Sequence, residues 1–74
     1  MIPNEDTIKR YSDKVYRVLP DLSCGTFEEI QLLCQMGNTE LCFALIYLLR
    51  ENKIEQEYAN GQVRYKMKSR SDMV

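Results

Sequence analysis

The chain has 74 residues and a mass of 8.7 kDa, room for one small domain with a modest core. Hydrophobic residues make up 45%, an ordinary globular share, and three Gly and two Pro are too few for a linker or a low-complexity segment. Ten Lys plus Arg against eleven Asp plus Glu leave a net charge of -1, which excludes a strongly basic nucleic-acid coat and an acidic disordered tail.

In chain order, Ile8, Tyr11, Val15, Val18 and Leu19 recur at helical spacing and predict a first amphipathic helix. Pro3 and Asn4 suit its start, and Pro20 is expected to stop it. Asp6 to Arg10, Lys9 to Asp13 and Asp13 to Arg17 are four positions apart, so ion pairs along the exposed face are expected. A short connector, with two or three extended residues around Leu22 to Cys24, leads to Thr26-Phe27-Glu28-Glu29, a capping box. The second helix should run from Phe27 to Met36 and end at Gly37 as a left-handed cap. Asn38 or Thr39 then caps a third helix reaching Glu51 or Asn52, at helix-turn-helix spacing from the second.

The period then changes from helix to strand. Ile54, Gln56 and Tyr58 alternate with Glu55 and Glu57, and Val63, Tyr65 and Met67 with Arg64, Lys66 and Lys68, around Asn60-Gly61. A two-residue turn there pairs Tyr58 with Val63, Gln56 with Tyr65 and Ile54 with Met67, and sets Glu57 against Arg64 and Glu55 against Lys66. Residues 1–68 therefore read as one domain and 69–74 as a flexible tail.

Cys24, Cys34 and Cys42 are odd in number and no two are closer than eight positions, which fits neither a disulfide framework nor a close-pair zinc site. Free thiols in a reducing, intracellular compartment are expected, with Cys34 and Cys42 as core fillers. Pro3, Asn4, Glu5 and Asp6 follow the start directly, so no signal peptide is expected. The longest apolar run, Leu41 to Leu49, is about half a bilayer span, so no membrane role is expected. The chain contains no His, and none of the cysteines has a base partner in the sequence. No catalytic residue, metal ligand or cofactor is therefore assigned.

The order helix, connector, helix, tight turn, helix and hairpin resembles the winged-helix (winged helix-turn-helix) superfamily over Thr26 to Met67. TFEEI opens the second helix, NTELCFALIYLLREN serves as the third, and KIEQEYANGQVRYKM looks like the wing. ELCFALIYLLRENKIEQE is also similar to the C-terminal winged helix of kleisin proteins, which docks on the ATPase heads of chromosome-organising complexes. The resemblance implies an α+β fold, three helices followed by a two-stranded antiparallel wing, and a nuclear or chromosome-associated parent protein.

In most winged helices the third helix enters the major groove of DNA. At 100° per residue, Leu41, Cys42, Leu45, Leu48 and Leu49 gather toward the core, leaving Thr39, Glu40, Phe43, Ile46, Tyr47, Arg50 and Glu51 outside. Arg50 is the one basic residue of that face, and Glu40 stands where base contacts are usually made. Phe43 and Tyr47 instead offer an aromatic strip. On the second helix Phe27, Ile30, Leu33 and Cys34 suffice for packing, so Leu32 and Met36 are expected to be partly exposed and to extend that strip. The leading reading is a non-catalytic interaction module that docks a protein partner through Leu32, Met36, Phe43 and Tyr47. The alternative is binding of duplex DNA or a nucleosome through Arg50, the wing residues Arg64, Lys66 and Lys68, and Arg10, Lys14 and Arg17 of the first helix. Self-association through the apolar patch is a third reading.

Overall fold

Asn4 opens the first helix: its Oδ1 accepts the Thr7 amide at 2.9 Å, and α1 runs Glu5–Leu22. The structure, a computed structural model, describes residues 4–22 and 24–68. Pro3 and the expected tail at 69–74 lie outside the described residues. Val15 and Leu19 of α1 are fully buried, and Ser12 is buried beside them with its hydroxyl donating to the Ile8 carbonyl at 2.8 Å. The expected stop at Pro20 is overridden, since Pro20 lies inside the last turn of α1. Leu19 and Leu22 on either side of it pack into the core, and that burial outweighs the one amide bond a proline forfeits. The expected ion pairs along α1 are also not made: among the described residues, none of Asp6–Arg10, Lys9–Asp13 and Asp13–Arg17 approaches within 4.0 Å. Exposed pairs of this kind gain too little in water to fix long side chains.

The connector contains a strand, β1 (Cys24–Thr26), which ends on the capping box of α2 (Phe27–Cys34). The Glu29 amide donates to Thr26 Oγ1 at 3.2 Å, and the Thr26 amide donates to Glu29 Oε1 at 3.0 Å. Helix α2 ends earlier than expected. Gln35, at φ 54°, takes the left-handed cap position in place of Gly37, and the amides of Gln35 and Met36 both donate to the Gln31 carbonyl. Gly37 is extended and caps the next helix, α3 (Asn38–Arg50), from outside, its amide donating to Glu40 Oε1 at 3.0 Å. The axes of α2 and α3 are bent by 110°, as in a helix-turn-helix. Helix α3 closes on a Schellman turn: Asn52, at φ 63°, donates to the Leu49 carbonyl, and Lys53 to that of Leu48.

Strands β2 (Ile54–Ala59) and β3 (Gln62–Met67) form the expected hairpin in the expected register, from Ile54 opposite Met67 to Ala59 opposite Gln62. Asn60 and Gly61 both have positive φ, as a type I′ turn requires. The two-stranded wing is corrected to a three-stranded antiparallel sheet in the order β1-β3-β2, with Gly25 opposite Tyr65. Beneath it, Val15 and Leu19 meet Ile30, Cys34, Met36, Leu41, Ala44, Leu45, Leu48 and Ile54 in one core. The chain is a small α+β domain of three helices and an open three-stranded sheet, an arrangement compatible with a winged-helix fold. Among the described residues, no single helix is long and apolar enough to cross a membrane.

Candidate interaction surface on the third helix

The orientation of α3 decides what the domain presents. Leu41, Ala44, Leu45 and Leu48 are buried, with Leu49 half-buried beside them. Against the expected arc, Cys42 is exposed and Ala44 takes its place in the core. Helix α3 is thus rotated toward its Ala44 side, and it packs on α1. Phe43 and Tyr47 lie on the next strip and become half-buried against α1, while Ile46 beyond them is 55% exposed.

The result is a groove of about 450 Å³ between the start of α1 and the second half of α3. Ile8, Phe43, Ile46 and Tyr47 supply its apolar lining, and Glu5, Arg50 and Glu51 its polar lining. The structure therefore brings together two of the four predicted partner-binding residues, Phe43 and Tyr47. Leu32 is 78% exposed, as expected, but stands on α2 outside this groove. Met36 is corrected: it is buried, only 7% exposed, because the left-handed turn at Gln35 takes it off the α2 wheel and into the core. Leu33, expected to pack, is 53% exposed. Gln31 is half-buried instead and donates from Nε2 to Asn38 Oδ1, which turns that side of α2 toward α3. Sequence reasoning missed the two other apolar groove residues, Ile46 and Ile8. Ile46 was visible on the outer arc of α3, whereas Ile8 reads as core from its place in the α1 stripe.

Of the cations of the alternative reading, Arg50 lines the groove and the others divide into two groups. In the hairpin, Lys66 is held by both Glu57, at 3.3 Å, and Glu55, at 3.9 Å. Arg64 does not pair with Glu57 across the ladder. It sits 3.8 Å from Glu29 of α2 and donates to Gln62 Oε1 at 3.1 Å. Lys68 donates to Asn52 Oδ1 at 2.7 Å. Lys53 stands 5.5 Å from the centre of the Tyr16 ring, a cation–π contact that sequence patterning does not show. Arg10, Lys14 and Arg17 form the second group and line a shallow depression on α1 together with Asp13. Glu40, at the place where base contacts are usually made, is half-buried and committed to the Gly37 amide.

Cys34 is buried, and desolvation pushes its thiol above the ordinary value of 9.0 despite the nearby charge of Lys14. Among the described residues, no three Cys, Asp or Glu side chains gather where they would hold a metal ion. The chain matches no family model, no curated protein sequence and no solved structure.

Proposed function

We propose that the chain is a non-catalytic interaction module of winged-helix type, part of a larger nuclear or chromosome-associated protein, which docks a protein partner through the α1–α3 groove. The observation that carries this reading is the apolar, partly aromatic lining of that groove, with Ile46 exposed on the helix that in DNA-reading relatives of the fold would carry cations. An aliphatic or aromatic side chain of the partner would seat between Phe43 and Tyr47, with Glu5, Arg50 and Glu51 as polar rim. The nuclear setting rests on the fold resemblance alone.

The test is a photo-crosslinking residue placed at position 46, followed by reconstitution with the purified captured partner. Ile46→Arg should weaken that complex by at least about tenfold while leaving thermal unfolding unchanged, since the position is exposed. Phe43→Ala with Tyr47→Ala should do the same or more. Unchanged affinity in Ile46→Arg overturns the reading.

A second reading, duplex DNA or nucleosome binding, is supported by one observation: the depression on α1 gathers Arg10, Lys14 and Arg17 with no ion pair among the described residues. The hairpin cations weigh against it, because Arg64 and Lys66 already face carboxylates.

A further inference from the structure

Strand β2 is one of the two edge strands of the sheet, and among the described residues it meets only β3 and α3. In a hairpin closed by a two-residue turn, the pair flanking the turn is hydrogen-bonded and pairs alternate from there. Ala59–Gln62, Glu57–Arg64 and Glu55–Lys66 are then the bonded pairs. The Lys68 amide, which donates to the Lys53 carbonyl at 3.2 Å, continues the same alternation beyond the strand ends. The amides and carbonyls of Ile54, Gln56 and Tyr58 consequently point away from β3, toward the open edge. Natural edges are commonly blunted by Pro, Lys or a bulge. Strand β2 contains neither Pro nor Lys, and its six pairs run without a bulge.

Side-chain chemistry on the two faces defines what fits. On one face Glu55 and Glu57 share the single Lys66, so the edge carries an uncompensated carboxylate. On the other, Tyr58 is 74% and its cross-strand neighbour Val63 37% exposed, an apolar pair at the hairpin tip. A second copy of β2 would set Glu55 and Glu57 against their own equivalents, which disfavours edge-to-edge self-pairing. We propose that the free edge of β2 adds a fourth strand from a partner, an extended segment that alternates Lys or Arg with Val or Ile. The basic side chains would meet Glu55 and Glu57, and the aliphatic ones Tyr58. This site is separate from the α1–α3 groove and does not depend on it.

The probe is a capped hexapeptide of alternating Lys and Val, titrated into the isotope-labelled full chain and followed by amide shifts and hydrogen exchange. Shifts centred on Ile54 to Ala59, with exchange of the Gln56 and Tyr58 amides slowed by about tenfold or more, are expected. The same peptide with Glu in place of Lys should not bind. Gln56→Pro removes one outward amide and no backbone β2–β3 bond, only the long side-chain bond from Gln56 Nε2 to the Tyr65 hydroxyl at 3.5 Å, and should weaken binding by about tenfold or more. Glu57→Lys, which keeps the backbone intact, should reverse the preference toward the Glu peptide, and Ile46→Arg in the groove should change nothing. No binding of the Lys peptide, unchanged affinity in both β2 variants, or shifts centred on Ile46 and Tyr47 would each overturn the proposal.

Discussion

Gln35 occupies φ 54°, ψ 49°, a left-handed conformation that costs a residue with a Cβ about 1–2 kcal/mol and costs Gly nothing in sterics. Glycine loses about 0.5–1 kcal/mol more backbone entropy on folding, so Gln35→Gly should be net stabilising by roughly 0.5 kcal/mol. The urea midpoint should rise with the slope of the transition unchanged, and a fall would show that the Gln35 side chain contributes more than its backbone loses. Asn52 is the control. It has a similar φ of 63°, but Asn tolerates that region and its Oδ1 accepts from Lys68 at 2.7 Å, so Asn52→Gly should gain less or lose stability. Gln35 also explains the misplaced Met36. Periodicity extended the helix through Met36, and on that wheel Met36 points outward. A Gln offers no signal that the wheel stops at Cys34, whereas Gly37, two residues on, offers a false one.

Elements whose patterns were complete within their own sequence were legible, and those completed by distant partners were not. The hairpin carried apolar alternation, charge alternation and Asn60-Gly61, and all six pairs form in the expected register. The three residues of β1 are too few for any alternation, and their strand character comes from β3, whose second edge they satisfy. The same dependence lets α1 continue past Pro20, because Leu22 gains a place in the core only if the last turn forms. Thr26 joins the two kinds of element, being both the last residue of β1 and the cap of α2. Thr26→Ala should cost about 1 kcal/mol, since it leaves the Glu29 amide without its acceptor, while Thr26→Ser should retain most of the stability. Chemical denaturation of the two variants checks this, and equal losses would assign the effect to the lost methyl rather than to the cap. On α3 the outward strip of Phe43, Ile46 and Tyr47 was readable from the wheel. The groove was not, because it needs the start of α1 as its second wall.

At the scale of the whole molecule, a net charge of -1 conceals an uneven distribution. Two cations of the hairpin face carboxylates, Lys66 those of Glu55 and Glu57 within the hairpin and Arg64 that of Glu29 on α2. The cations with no carboxylate within 4.0 Å among the described residues include Arg10, Lys14 and Arg17 on α1 and Arg50 at the end of α3. Each phosphate contact contributes about -0.9 to the slope of log affinity against log salt, so these four would give a slope of about -3 to -4 if all touched one duplex. On the protein-docking reading no such ordered contact exists, and duplex affinity near physiological salt should be weaker than a Kd of about 10⁻⁴ M. Titration of a short duplex between about 50 and 200 mM salt measures both quantities. A Kd near 10⁻⁶ M or tighter, roughly the strong end of non-specific binding, with a slope that Arg10→Ala, Lys14→Ala and Arg17→Ala flatten together, would move the function to nucleic acid and place it on α1. If Arg64→Ala and Lys66→Ala flatten it instead, then DNA must break the carboxylate contacts of the hairpin on binding. That rearrangement should appear as a rise in affinity in Glu57→Gln, because the carboxylate competing for Lys66 would be gone.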